Sequence, residues 1–391
     1  MRPKLWNSNY IKVLIANTLI YVSFMLLVPM LPLYMADTFG SDKETIGIVL
    51  AGYTVMAIAV RPFSGFIVDT LSRRTILLIS NFLFFAFFAG YLVAGCITLF
   101  AIFRTLHGAP FSTLSVAEST VAIDVLHPER RVEGVGYYGL SNNLGMAVAP
   151  SLAIFIMHHT NNYDVLFAVS LLFSFAALIL NSTIRLERKP KMVDKSIISL
   201  DRFILLKASG EGVCIICAAF AYGVLSTYLA IYGKEELGIS SGTGIFFAIL
   251  ATGLIISRLI GVRNLRRGRI LHNATEGMLI SLIAYGLFAA VHEDWAYYLS
   301  AFIIGLGNGH FYPAFQTMFI NLAEHSQRGT ANSTLLTSWD VGLGLGVLFG
   351  GIVVEHFTYH TAFWMGAVVN ALGVLMYFIY VRRHFTRYRL R

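Results

Sequence analysis

The stretch RPFSGFIVDTLSRR, residues 61–74, decides the fold. It closes one apolar run, which begins near Glu44, and another apolar run opens at Thr75. Two hydrophobic spans are therefore joined by a very short hairpin carrying Asp69, Arg73 and Arg74. A turn that short between two bilayer-length helices lies at a membrane surface. Its basic pair places that surface on the cytoplasmic side, where short loops collect Lys and Arg.

Composition extends this reading to the whole chain. Of 391 residues, 57% are hydrophobic and 13% are charged, against about 25% charged in a soluble domain. That is the balance of a polytopic membrane protein. The net charge of +8 would suit nucleic acid, but the basic residues sit in short loops and termini between apolar spans. Such placement is a topology signal and argues against a nucleic-acid partner. The first 12 residues are basic, and the apolar span after them is too long for an h-region, so no cleavable signal peptide is expected. Cys96, Cys214 and Cys217 make no disulfide framework. Cys214 and Cys217 have CxxC spacing but fall inside an apolar helix, where packing is the expected role.

Counting about 20 apolar residues per crossing gives twelve spans, near 11–36, 45–68, 75–95, 98–122, 134–157, 164–184, 208–232, 243–262, 272–291, 295–320, 330–355 and 360–381. Connections are short except at 185–202, RLERKPKMVDKSIISLDR, which is charged and contains Pro190. It divides the chain into an N-terminal bundle (1–184), a cytoplasmic linker (185–202) and a C-terminal bundle (203–391). Loops on one side hold Arg73, Arg74, Arg130, Arg131, the linker, the basic run 263–269 and Arg328, and both termini are basic too. Opposite loops hold Lys43 and Lys234 among Asp37, Asp42, Glu235, Glu293 and Asp294. Both chain ends are therefore expected in the cytoplasm.

The halves repeat. Residues 47–61, GIVLAGYTVMAIAVR, align with 244–258, GIFFAILATGLIISR, each placing Arg fourteen residues after Gly. The same offset relates Arg131 to Arg328, Gly145 to Gly342 and Asn143 to Asp340. Six-span halves with weak internal symmetry mark rocker-type secondary transporters. The second copy of the hairpin, GVRNLRRGR at 261–269, keeps the charge and lacks the Asp.

Gly65, Asp69, Arg73 and Arg74 resemble the loop between helices 2 and 3 of the major facilitator superfamily, with Thr70 and Ser72 where that family usually has Arg and Gly. The resemblance implies a latch joining the two halves on the cytoplasmic side, with Asp124 as a further partner. Physically, Asp69 at a helix end can pair with Arg73 or Arg74, or cap a neighbouring helix N-terminus. The bland alternative is a polar turn obeying the positive-inside rule.

In the fourth span Arg104, Gly108, Phe111, Ser115 and Glu118 share one helical face. An ionisable group there costs a few kcal/mol unless it meets partners or water, or snorkels to the headgroups. Arg104 with Gly108 resembles the superfamily's Arg-x-x-x-Gly motif, associated with proton-coupled antiporters. The fifth span, GLSNNLGMAVAPSLA from Gly139 on, is similar to the glycine-rich antiporter motif, with Ala149, Ala153 and Ile154 in place of later glycines. Its small residues and Pro150 permit tight, pliable packing.

Asp340 lies about eleven residues into the eleventh span, near mid-bilayer at about 1.5 Å per residue. The superfamily arrangement sets the second and eleventh spans side by side, so Arg61 is its expected partner. That pair either biases a rocking equilibrium through protonation or is a static ion pair. Proton coupling is accordingly expected of Asp340, Arg61, Arg104 and Glu118. The resemblance also implies a cavity lined by the first, fourth, seventh and tenth spans. This nominates Asn17, Tyr21, Phe24, Phe111, Tyr222, Ser226, Asn308, His310, Tyr312 and Gln316 for substrate, with Asn143 and Trp339 beside them. So aromatic and weakly polar a lining suits amphipathic organic molecules. His310 can titrate near neutral pH or be a satisfied bundle histidine.

The pairs His158–His159 and His356–His360 stand without a carboxylate or Cys set beside them, so neither metal nor cofactor is expected. A membrane-embedded enzyme would need such a constellation at one face, and an enzyme is not expected. RGTANSTLLTSWDVGLGLG, from Arg328, is similar to bacterial exporters of the arabinose-efflux and staphylopine-exporter kind. The expectation is an all-α polytopic membrane protein, twelve transmembrane helices in two pseudo-symmetric six-helix bundles. It would act as a monomer in a bacterial inner membrane, using alternating access for proton-coupled efflux of a small amphipathic organic compound. The alternative is an exporter or importer dedicated to one metabolite, a sugar derivative or a metallophore.

Overall fold

Caps and prolines divide the apolar runs into helices. A computed structural model describes residues 4–41, 43–186, 203–239 and 242–390; the side chains of Lys43, Asn143, Pro150 and Arg263 lie outside the described set, as does the expected linker from 187 on. Every regular element among the described residues is helical. The first run is α1 (Ser8–Met25), α2 (Leu31–Phe39), α3 (Lys43–Thr70), α4 (Arg73–Val93), α5 (Ile97–Asp124), α6 (Arg131–Thr160) and α7 (Tyr163–Ser182). The second is α8 (Ser209–Glu235), α9 (Gly242–Arg266), α10 (Ile270–Ala290), α11 (Asp294–Leu322), α12 (Arg328–His356), α13 (Tyr359–Met376) and α14 (Arg382–Tyr388).

The expected first span, 11–36, is two helices. Pro29 supplies no N–H and its ring opposes the carbonyl of residue 25, so the chain turns and restarts at α2. Asn7 caps α1 by accepting from the Tyr10 N–H at 2.9 Å, and Thr358 caps α13 by accepting from Thr361. The expected last span ends at 381; there a π-turn, Tyr377–Val381, carries the helix on into α14. Stretches in α3, α4, α7, α8, α9, α10, α12 and α13 are long and apolar enough to cross a membrane.

By contacts the chain forms two compact units, Met1–Phe203 with Ser326–Ser333, and Ile204–His325 with Thr334–Arg391. The same pairings recur in each. In the first, α5 packs on α3 and α4, and α7 on α1 and α4; in the second, α11 packs on α9 and α10, and α13 on α8 and α10. The repeat reaches single atoms. A Cβ on Gly108 would stand 2.3 Å from the Tyr53 carbonyl oxygen, and one on Gly305 would stand 2.1 Å from that of Leu250. Both residues of each pair are related by the offset seen in the sequence. Small residues let membrane helices approach this closely. Gly305→Val forces α9 and α11 apart, and overpacking of this kind costs about 1–3 kcal/mol. Its melting temperature in detergent should fall below wild type; an unchanged value would mean that the crossing can slide.

Candidate functional site

The first unit is closed at its arginine-rich end by one carboxylate. The four leading N–H groups of any helix lack partners within it. At α12, Asp69 Oδ1 accepts from the Gly329 N–H at 2.8 Å, and Oδ2 accepts from the Thr330 N–H at 2.8 Å and the Thr330 hydroxyl at 3.0 Å. A carboxylate there also meets the positive end of the helix dipole. Arg73 bridges Asp69, at 3.2 Å, to Asp124. The fully buried Arg328 donates to the other oxygen of Asp124 at 2.8 Å. Gly65 makes the approach possible, since a Cβ there would come within 2.7 Å of the Ser333 Cβ and 2.8 Å of the Thr330 Cα. Ser333 Oγ donates to the Arg61 carbonyl.

Gly65, Asp69, Arg73 and Asp124 are thus brought together. Arg74 is not with them; it donates to the Ser182 carbonyl at 2.9 Å, at the end of α7. Arg328, Gly329, Thr330 and Ser333 were not among the expected members. Arg328 had a signal, its repeat match to Arg131.

Higher in the same unit the expected stripe on α5 is buried throughout. The Arg104 guanidinium lies 4.2 Å from the Tyr53 ring centroid and 5.4 Å from that of Phe24. It also donates to the Tyr91 hydroxyl at 3.5 Å, so it is held among rings inside the unit. Phe24 stacks on Tyr53 and Phe111, both at 4.9 Å, and Tyr21 meets Phe111 edge-on at 6.1 Å. Sequence reasoning missed His107, fully buried with Nδ1 2.7 Å from the Tyr91 hydroxyl and ringed by Phe84, Phe87 and Phe88. Glu118 is buried beside Asn181. Arg61 donates to the Ser115 hydroxyl at 3.2 Å. Asn17 is committed to the protein, donating to Ser141 Oγ at 2.7 Å and to Asn142, and accepting from Tyr138 at 3.0 Å. A cavity of about 330 Å³ opens beside it instead, between Leu14, Ile15 and Leu19 of α1 and Leu140 and Leu144 of α6.

In the second unit Trp339 lies 5.4 Å from Tyr312, at 89°, and 5.9 Å from Tyr222. Asp340 follows it, half-buried. Asn308 and Gln316 are buried on α11. His310 Nδ1 is shared by the Ser257 hydroxyl and the Leu306 carbonyl. Ser226 Oγ turns back to the Gly223 carbonyl of its own helix at 3.5 Å. The Asn143 side chain lies outside the described set. Cys214 donates to the Gly373 carbonyl at 3.4 Å, a contact between packed helices.

At the acid-rich end of this unit the structure supplies a carboxylate that the sequence did not set beside His360: Glu236, from the end of α8, lies 2.7 Å from it, and the His292 and His360 ring centroids are 3.4 Å apart. Desolvation and then His360 lower the His292 pKa, with Glu236 opposing. The unfolded chain, near 6.5, therefore takes up its proton first as pH falls. Stability is complete above that value and declines below it, toward the folded pKa. Melting temperature should drop from pH 7.5 to 5.5, and less steeply in His292→Gln; coincident profiles would remove His292 from the account.

A family description of the Major Facilitator Superfamily matches residues 13–275 and 271–390. The chain belongs to the Major Facilitator Superfamily. It is an all-α, multi-pass membrane transporter of that superfamily. Among curated relatives it is 23% identical to the staphylopine export protein of Staphylococcus aureus over 361 residues, 86% of each chain. It is 20% identical to the quinolone resistance protein NorA of Staphylococcus aureus over 374 residues, 92% of this chain and 93% of that one. Among solved superfamily folds, the human organic anion transporter MFSD10 (TETRAN) superposes with a TM-score of 0.80 at 17% identity, covering 94% of this chain and 98% of that one. FucP, in an outward conformation, gives 0.78 at 13% identity, covering 97% and 99%.

Proposed function

We propose that the protein exports a small amphipathic organic compound from a bacterial cytoplasm by proton-coupled alternating access, as a monomer with both termini inside. The observation that carries this is likeness along nearly the whole chain to an export protein and to a drug-resistance protein. The Asp69 cap, with Gly65, Arg73 and Asp124 around it, serves as the latch, and Arg74, held at Ser182, supports it from the end of α7. Proton coupling falls to Asp340, with Arg61, Arg104 and Glu118 tuning it. Tyr21, Phe24, Phe111, Tyr222, Ser226, Asn308, His310, Tyr312, Gln316 and Trp339 are the substrate-facing set; Asn17, held by Ser141, Asn142 and Tyr138, drops out of it. The test is efflux from proteoliposomes under an imposed pH gradient. Wild type should transport and Asp340→Asn should lose pH-driven transport; an Asp340→Asn protein still driven by the gradient would remove the coupling role.

A second reading, a carrier dedicated to one metabolite, is favoured by the staphylopine export relative. A competition panel separates the two. Inhibition by many unrelated hydrophobic compounds supports the broad reading, and inhibition by a single chemical class supports the narrow one.

A further inference from the structure

We infer that Arg258, with Tyr312 and Trp339, forms a subsite inside the second unit for the carboxylate of a monoanionic, flat-bodied amphipathic cargo. This rests on the export reading and names the class of compound carried.

Arg258 is buried on α9, and its Nε and Nη1 have no hydrogen-bond partner among the described residues. The Tyr312 phenol on α11 is close enough to act on its charge. A guanidinium inside a membrane bundle is costly unless an anion or water reaches it, so intramembrane cations mark binding paths. Its repeat-related counterpart is placed differently. Arg61 donates to Ser115, and the offset that relates Arg61 to Arg258 also relates Ser115 to Tyr312. Where the first unit offers a compact hydroxyl, the second offers a ring set edge-on to Trp339, itself 5.9 Å from Tyr222.

Two neighbouring donors are already engaged. His310 Nδ1 meets Ser257 and the Leu306 carbonyl, and Asn273 Nδ2 donates to the His310 carbonyl at 3.1 Å. The Arg258 guanidinium is the charged donor among them for an incoming group. A carboxylate reaching Nη1 or Nε takes a charge-assisted hydrogen bond, about twice as strong as a neutral one. One guanidinium facing a phenol neutralises one negative charge, hence a monoanion. Tyr and Trp faces grip flat apolar bodies at little entropic cost.

The test compares 1-naphthoate with 1-naphthamide, which share a body and differ in charge, binding the full-length protein in neutral detergent. Affinity is read from ligand-dependent melting shifts. Wild type should prefer naphthoate by about tenfold or more. Arg258→Gln should abolish that preference while leaving naphthamide binding unchanged, and Arg258→Lys should keep part of it. Trp339→Ala should weaken both ligands alike. Equal wild-type affinities, a measurement that needs no variant, overturn the subsite. So does a preference that survives Arg258→Gln. Competition for naphthoate by phosphatidylglycerol, but not by phosphatidylcholine, would assign the site to a lipid headgroup and overturn the cargo. Failure here is separable from failure of the export reading: pH-driven efflux of naphthamide by wild type and Arg258→Gln would uphold export with the subsite lost.

Discussion

Asp69→Leu is expected to reduce efflux by on the order of a hundredfold while the protein remains extractable and folded. The leucine leaves the Gly329 and Thr330 N–H groups and the Thr330 hydroxyl without their acceptor. Each buried donor stranded in this way costs about 1–3 kcal/mol. Even the lower end of that range, taken for two amides, biases the equilibrium that makes and breaks the cap by about one to two powers of ten. Arg73 loses its longer contact to Asp69 but retains Asp124, and Asp124 retains Arg328, so the main loss is at the start of α12. Initial efflux rate and melting temperature should be measured on the same preparation. Wild-type efflux by a stable Asp69→Leu protein would reduce the hairpin to a polar turn.

Arg104→Met should separate stability from transport. The guanidinium is buried against Tyr53 and Phe24 with one long hydrogen bond to Tyr91. Cation–π attraction at a desolvated site is worth about 2 kcal/mol, and desolvation of the charge offsets much of it. Exchanging a buried charge for an apolar side chain of similar reach is often neutral or stabilising. The melting temperature should therefore hold or rise, while pH-driven efflux falls by at least about tenfold, the usual trade at a functional site. A parallel fall in both would make Arg104 structural.

Much of this was legible in the chain. Long apolar runs with few charges inside them leave helices as the backbone's solution in lipid, and the expected spans fall on helices. The Asp69–Arg73 contact was legible too, since a short hairpin holds its own charges together. Other features had no sequence signature. That Asp69 can cap a neighbouring helix was legible, but not which helix, because its partners in α12 are backbone N–H groups, which every residue has. His107 and Tyr91 face each other from separate helices, and nothing local to either announces the pairing. Arg74 looked equivalent to Arg73, but the start of α4 turns adjacent positions to different sides, and one residue sends it to Ser182. The break between α1 and α2 was announced by Pro29 and Pro32, and the surrounding Leu, Val and Met masked it by keeping the run apolar.

The assignment of Ser326–Ser333 to the first unit bears on how the protein is made. When the ribosome has released the first 203 residues, α3 carries a carboxylate whose acceptor duty is still unfilled, and Gly65 faces nothing of α12. The amino-terminal half is finished by eight residues synthesised more than a hundred positions later. If the gene were cut within 187–202 and the pieces produced as separate polypeptides, the carboxyl-terminal piece would have to supply that missing turn. The amino-terminal piece alone should be the more protease-sensitive of the two.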